Sequence, residues 1–348
     1  MSTVDMSSEF RIRDIAAKRG AKQHGYLTVG ETAMGPIQIP LVIVHGAKAG
    51  PTLCITAGVH AAEYPAIDAV LRTIVGLDPA VLSGTVIAVT VINTPMFRAR
   101  SGFVSPIDGL NLNRMFPGKA DGTITEVMAH VLLTEIVARA DFHIDCHGGD
   151  LPEILWPYAG YAMTGNTSVD ERGEAMVRVY SPQIVALYRE GSALPPTKGS
   201  FTHEVARRGI PSMLAESGSA GGLDPADVQT HMNGLQNVMR FFKMLPGDPV
   251  ILSKRVMAAG QFVVDARHGG LLRLAIGIGD EIKKGQQIAE VCDVFGNVVE
   301  KIVSPADGIA RLIWTHKAVN TGDPVVKCWV VEPAPPFPTT DRFMRGDA

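Results

Sequence analysis

From about residue 50 to residue 245, apolar runs of strand length alternate with amphipathic runs of helical length, and few folds accommodate that order. "TLCITAG", "TVIAVTVI", "ADFHIDCH" and "IPSMLAES" read as strands. They are apolar along most of their length, the pattern of strands covered on both faces. Helices are predicted over 65–76, 125–140, a stretch around 168–190, and 225–245. In "VMAHVLLTEIVA" apolar residues recur three and four apart, the helical period. Thr125 is placed to cap that helix, and Pro225 suits a first helical turn. Continuous apolar strands separated by helices imply an α/β fold, a mainly parallel central sheet with helices on both faces. Residues 26–45 add a strand or hairpin at its edge.

The pattern changes after "LPGDPV" (245–250). From there the chain has short β-like runs punctuated by glycine and no convincing helix, which predicts a small all-β domain. A chain of 348 residues is long for one core. We therefore divide it into an α/β domain over 1–250, a small β domain over 251–335 and a loose proline-rich tail over 336–348.

Composition narrows the function classes. With 46% hydrophobic and 19% charged residues the chain is globular in type, not disordered. A net charge of −3 gives no general attraction for nucleic acid or an anionic membrane, so neither is expected as a partner. No apolar run is long enough to cross a bilayer, and "MSTVDMSSEFRIRDIAAKRG" lacks the apolar core of a signal peptide. Cys54, Cys146, Cys292 and Cys328 show no CxxC spacing, which argues against a disulfide framework or a cysteine metal cage. A cytoplasmic location fits best. Whether the chain forms a homo-oligomer is left open.

Chemistry-bearing residues gather at the predicted strand ends, where open α/β sheets bind their ligands. His60 and Glu63 follow "PTLCITAG". His147 closes "ADFHIDCH" and is followed by glycines. Two imidazoles and one carboxylate are the donor set of a catalytic zinc site with a position left open for water. His143 competes with His147 but lies inside its strand, which suits a packed, hydrogen-bonded core residue. Asp145, two residues before His147, shares its face and suits a partner behind the imidazole; Cys146 points to the opposite face. Glu216 ends a third apolar strand and reads as a general base, or else as half of a salt bridge with an arginine. The polar loop 98–118 carries Arg98, Arg100, Asn113 and Arg114, and arginine's planar fork suits a carboxylate.

In chain order, "GVHAAEYP", "GLNLNRMFPG", "DCHGGD" and "LAESGSAGG" resemble the succinylglutamate desuccinylase/aspartoacylase family of the zinc carboxypeptidase superfamily over roughly residues 40–245. The resemblance implies a zinc-carboxypeptidase-like fold and one zinc ion per chain held by His60, Glu63 and His147. It implies Glu216 as the catalytic glutamate, and Asn113 with Arg114 as the pair that binds a substrate carboxylate. Arg100 is matched to the arginine that polarises the scissile carbonyl, with Arg98 in reserve. "HAAE" departs from the family's frequent "HGDE" or "HGNE" but keeps both ligands. The β segment, with "GDEIKKGQQIAEV" and "SPADGIARL", resembles the barrel-sandwich hybrids of lipoyl and biotinyl carriers. It lacks their attachment hairpin, and Lys301 is a poor attachment site. In the family such a domain shapes the active-site entrance.

The resulting expectation is a zinc-dependent hydrolase that cleaves the amide of a small N-acyl amino acid, with Glu216 taking the proton of the attacking water. The alternatives are a zinc carboxypeptidase acting on peptide C-termini, and an inactive metal-containing binding module.

Overall fold

The computed structural model describes residues 8–180, 182–252 and 255–333. The tail expected over 336–348 lies outside the described residues. A 13-stranded sheet runs through the molecule. From one edge its order is Glu281–Ile282, Gly308–Trp314, Pro324–Pro333, Val256–Asp265, Ile184–Tyr188, Tyr158–Ala162, Ser212–Glu216, Phe142–His147, Lys48–Ala57, Ser83–Val89, Gly35–His45 and Ala21–Thr32. Glu153–Leu155 pairs separately with Gly308–Trp314. The four strands from Ser212–Glu216 to Ser83–Val89 are mutually parallel, and the flanks are mixed. The α/β reading therefore holds.

Alternation explains how one sheet serves two cores. Along Phe142–His147 every residue is buried. Phe142, Ile144 and Cys146 join the core under helices Tyr64–Gly76, Thr167–Tyr180 and Pro225–Phe241. Cys54, on the neighbouring strand, faces the other core with Met128, Leu132, Phe201 and Val205. Each large aliphatic side chain removed from water in these layers contributes about 1.5–3 kcal/mol. Helices thus cover both faces.

The helix predicted over 125–140 is α-helical only over Ile124–Val131, then becomes a π turn over Leu132–Ile136 and a tight turn over Val137–Arg139. Its N-cap is Thr123, not Thr125. Thr125 bonds instead to Asp108, through its backbone N–H (2.9 Å) and its hydroxyl (2.7 Å). That tethers the helix to the polar loop. Pro225 does occupy the first turn of its helix, behind an Asp224 cap that accepts from the Ala226 N–H at 2.8 Å. The stretch around 168–190 splits after Thr167–Tyr180, and Ile184–Tyr188 is a strand. Pro182 lies between them, where proline opposes helix continuation.

The edge hairpin exists, over Ala21–Thr32 and Gly35–His45. Beyond residue 255 the described chain is all strand and turn, with its own apolar core around Leu272, Ile288, Val291 and Val326. Lys301 is exposed on the strand Val298–Val303. All four cysteines are buried and unpaired. Among the described residues no helix is long and apolar enough to cross a membrane.

Candidate active site

The chain turns sharply after Lys48–Ala57, and the turn carries His60 and Glu63. Glu63 occupies the N-cap position of Tyr64–Gly76 yet makes no side-chain cap. A capping side chain stabilises a helix by roughly 1 kcal/mol. Here the carboxylate is diverted elsewhere, and Pro65 in the first turn reduces the number of N–H groups that need a cap. Glu63 Oε1 lies 2.8 Å from His60 Nδ1, and Oε2 lies 2.9 Å from His147 Nδ1. The Gly148 N–H also donates to Oε2, at 3.1 Å. All three side chains are buried. Their ligand atoms lie within 4.8 Å of one another.

The groups behind the imidazoles fix which nitrogen faces inward. Asn111 Oδ1 accepts the Asn113 N–H at 2.9 Å, so this atom is the amide oxygen. His60 Nε2, 3.1 Å from the same oxygen, must then donate, which leaves Nδ1 as the free lone pair of a neutral ring. His147 Nε2 lies 2.8 Å from Asp145 Oδ2 and donates likewise. In each ring an outer acceptor holds the far N–H and turns Nδ1 toward Glu63. A neutral imidazole has only one proton to donate, so Nδ1 facing a carboxylate suits a cation between them. Two nitrogens and one oxygen arranged this way are zinc's donor set, and the residues fit that metal.

The three groups also act on one another electrostatically. Burial raises the Glu63 carboxyl, but His147 and His60 together hold it well below the usual carboxylate range. Burial lowers His60 and His147; Glu63 for the first, and Asp145 with Glu63 for the second, more than offset it.

Behind the site the polar face of Phe142–His147 satisfies itself. Thr56 Oγ1 donates to Asp145 Oδ1 at 2.6 Å. Because the hydroxyl proton is used there, His143 Nε2 donates to Thr56 Oγ1 (3.0 Å), and its Nδ1 accepts from Ser212 Oγ (2.8 Å). Burial keeps His143 neutral, near a pKa of about 4. His143 is thus a hydrogen-bonded core residue, Asp145 the partner of His147, and Cys146 part of the opposite core. His231 was not singled out in the sequence. Its Nε2 donates to the His147 and Ser217 carbonyls, at 2.9 and 3.2 Å, joining two strand ends.

Glu216 is the direct neighbour of His147 on one side and of Tyr158 on the other. It makes no ion pair among the described residues, and its Oε2 is buried without a partner. Burial is the main cause of a carboxyl held well above the usual range; His147 and Arg311 oppose the shift, and Glu63 and Glu153 add to it. The salt-bridge reading of Glu216 therefore has no support in the geometry.

His60, Glu63, Asn113, Arg114, His147 and Glu216 line a single cavity of about 570 Å³. Asn113 Oδ1 accepts from the Phe201 N–H at 2.9 Å, so the side chain offers its amide N–H groups. Arg114 is exposed on the cavity wall and donates to the Asn113 carbonyl at 2.6 Å. Arg100 is not brought in. It ends the short helix Thr94–Ala99 in a left-handed conformation (φ 53°), is exposed, and is absent from the cavity lining, as is Arg98. Anchoring explains the path: Met96 is buried on the inner side of that helix, and the loop next touches the site at Phe103. The Phe103 N–H donates to Asp150 Oδ2 at 2.7 Å. A Cβ on Gly102 would meet Asp150 Oδ1 at 2.3 Å.

The cavity also contains residues not anticipated from the sequence: Glu153, Tyr158, Arg311 and Lys327. The available signal was an arginine inside the apolar strand "GIARLIW", since an unpaired buried charge is costly.

Comparison with known proteins agrees with this architecture. The profile of the succinylglutamate desuccinylase/aspartoacylase catalytic domain matches residues 49–242. The N-alpha-acetyl-L-2,4-diaminobutyric acid deacetylase of Halomonas elongata is 28% identical over 313 residues, covering 87% of this chain and 90% of that one. A succinylglutamate desuccinylase structure from a Silicibacter species has a TM-score of 0.82 at 23% identity, covering 95% of this chain and 100% of the other. The product-bound ectoine utilization protein EutE (DoeB) of Ruegeria pomeroyi also scores 0.82, at 24% identity and 92% and 97% coverage. These structures share the fold. With the family profile matching more than half of its length, the chain belongs to the succinylglutamate desuccinylase/aspartoacylase family and is an amide-hydrolysing enzyme.

Proposed function

We propose that this protein is a zinc-dependent deacylase of small N-acyl amino acids. The observation that carries the reading is the convergence of His60, Glu63 and His147 beside the unpartnered carboxylate of Glu216, in one cavity. His60 and His147 through Nδ1, with Glu63, would hold the zinc. When bound it would supply Lewis acidity at the amide oxygen and a lowered pKa for water. Glu216 takes a proton from the attacking water and returns it to the departing amine, a task suited to a carboxyl with a raised pKa. Asn113 N–H groups and the Arg114 guanidinium hold the substrate carboxylate. Gln261, Phe262 and Lys327 contribute to the cavity wall, so the C-terminal β unit restricts the site to small substrates. Four buried free thiols suit a reducing compartment, and we assign the cytoplasm.

The test combines elemental analysis with a substrate panel. Purified protein is expected to contain about one divalent ion per chain. Chelation should stop release of acid from acyl-amino acids, and zinc should restore it. Release of C-terminal residues from peptides, with acyl-amino acids inert, would mark a carboxypeptidase. Metal without any hydrolysis would mark a binding module.

Arg114 tests the substrate class. Arg114→Lys keeps the charge but loses the planar fork. A charge-assisted hydrogen bond contributes about 1.5–3 kcal/mol, so kcat/KM for acyl-amino acids should fall at least ~10-fold. Matching acyl-amides, which lack the carboxylate, should lose much less. Equal losses would remove Arg114 from carboxylate binding.

A further inference from the structure

His231 projects from the helix Pro225–Phe241 into the ends of the two strands that carry His147 and Glu216. Its side chain is fully buried. Nε2 faces two carbonyl oxygens, of His147 at 2.9 Å and of Ser217 at 3.2 Å, so the ring proton sits on this nitrogen and is shared between them. Nδ1 accepts from the Tyr180 hydroxyl at 2.7 Å. Burial keeps the imidazole neutral, near a pKa of about 4, and this tautomer satisfies both nitrogens. Tyr180 ends the helix Thr167–Tyr180, and the Cys146 thiol lies beside the same hydroxyl. A Cβ on Gly234 would meet the Tyr180 ring at 2.3 Å, so that ring rests directly on the helix of His231.

The location matters because the ladder stops there. Phe142–His147 and Ser212–Glu216 pair in register only as far as His147 opposite Glu216. Beyond that pair the chains are joined by the Ser217 N–H to the His147 carbonyl, at 3.1 Å, and by the Gly149 N–H to the Gly218 carbonyl, at 2.8 Å. The Ser217 carbonyl between them receives His231. It is wedged from the other side by Gly148, where a Cβ would come within 2.6 Å of it. Glu216 depends on this backbone, because its Oε2 has no partner to fix it. Filling space would need no second buried polar ring, whereas a satisfied polar network holds one geometry.

We propose that His231 is a positioning residue for catalysis: it locks the segment bearing Glu216 to the strand end bearing His147, and so sets the distance between the general base and the metal site. The inference rests on the deacylase reading and adds a residue that touches neither substrate nor metal. Displacing a reacting group by about 1 Å costs on the order of 10²-fold in rate.

The test uses the zinc-loaded full chain and an N-acyl amino acid that the wild type hydrolyses. His231→Gln keeps an N–H near the Nε2 position, whereas the shorter side chain of His231→Asn reaches only as far as Nδ1. His231→Asn should lower kcat by ~10²-fold with KM within about three-fold of wild type, and His231→Gln should recover much of the loss. The deciding comparison is a double-mutant cycle with Glu216→Gln. Once the base is gone its position no longer matters, so His231→Asn should then add less than about three-fold. Additive losses mark a general structural role and overturn the proposal. So does a weakening of zinc binding by about ten-fold or more in His231→Asn, which would place the role at the ligands.

Crystallography of the variants needs no activity. His231→Asn should move the Glu216 carboxylate relative to His147 by about 0.5 Å or more, and His231→Gln should leave it in place. An unmoved Glu216 in His231→Asn overturns the proposal. Should His231→Asn not fold, Tyr180→Phe, which keeps the imidazole but removes its outer anchor, enters both experiments with a smaller loss in the same direction. Absence of coupling to Glu216 there overturns the proposal as well. If the wild type hydrolyses no acyl-amino acid, the deacylase reading fails, and the crystallographic displacement alone decides whether His231 holds the two strand ends.

Discussion

Replacing Glu216 with glutamine should leave the metal in place and cut turnover by at least ~10²-fold, the usual scale of lost general-base catalysis. The two side chains are nearly isosteric, and the strand Ser212–Glu216 is held by backbone pairing on both sides. Fold and ligand geometry should therefore survive. The difference is chemical: an amide cannot accept the proton of the attacking water. The same substitution removes a carboxyl that burial holds well above its ordinary range and whose Oε2 has no partner. A stability gain alongside the activity loss is expected at neutral pH, because the unfolded chain ionises Glu216 freely whereas burial opposes that ionisation in the fold. Elemental analysis, thermal unfolding and steady-state turnover on one preparation check all three. Wild-type turnover in Glu216→Gln would remove this residue from the chemistry.

Glu63→Gln should do the opposite, abolishing metal retention first and activity with it. Glu63 is bracketed by His60 Nδ1, His147 Nδ1 and the Gly148 N–H, so both carboxylate oxygens are engaged. An amide supplies one oxygen and one NH2 group, and it supplies no charge. Losing an outer hydrogen-bond partner of a metal ligand already costs about 10–100-fold in affinity or activity. Losing a ligand should exceed that, and activity should fall at least ~10³-fold. The comparison variant is Glu216→Gln: after gel filtration it should still contain metal, whereas Glu63→Gln should contain almost none. Full metal content in Glu63→Gln would break the proposed ligand set.

The sequence made the inner site legible because its residues sit at strand ends, where periodicity decides direction. Alternation along "HIDCH" sets Cys146 against His147 and places Asp145 behind it, and the structure has both arrangements. His143 was separable from His147 by its position alone. Loop residues were not legible in this way. Arg100 is directed by a left-handed helix end and by the anchoring of Phe103 on Asp150, which are tertiary events that no local pattern encodes. Asn111 stood inside a quoted motif, yet its role depends on His60 lying 51 positions away. Arg311 required knowledge that the β unit joins the catalytic sheet. The strands Tyr158–Ala162 and Ile184–Tyr188 were missed because "YAGYA" is small and weakly patterned, and "IVALY" follows a helix almost directly.

That junction has a mechanical consequence. Val256, Met257 and Ala258 lie in register with Ile184, Val185 and Ala186, and the next strands continue the ladder through Pro324–Pro333 to Gly308–Trp314. The wall bearing Arg311 cannot swing away from the wall bearing Glu216 without breaking interstrand bonds. Exchange of substrate and product with solvent is then expected of the loops, chiefly the segments around Phe103 and Pro195–Thr197 that line the cavity. Opening on the timescale of loop fluctuation, nanoseconds to microseconds, is the regime such a scaffold imposes, rather than slower domain closure.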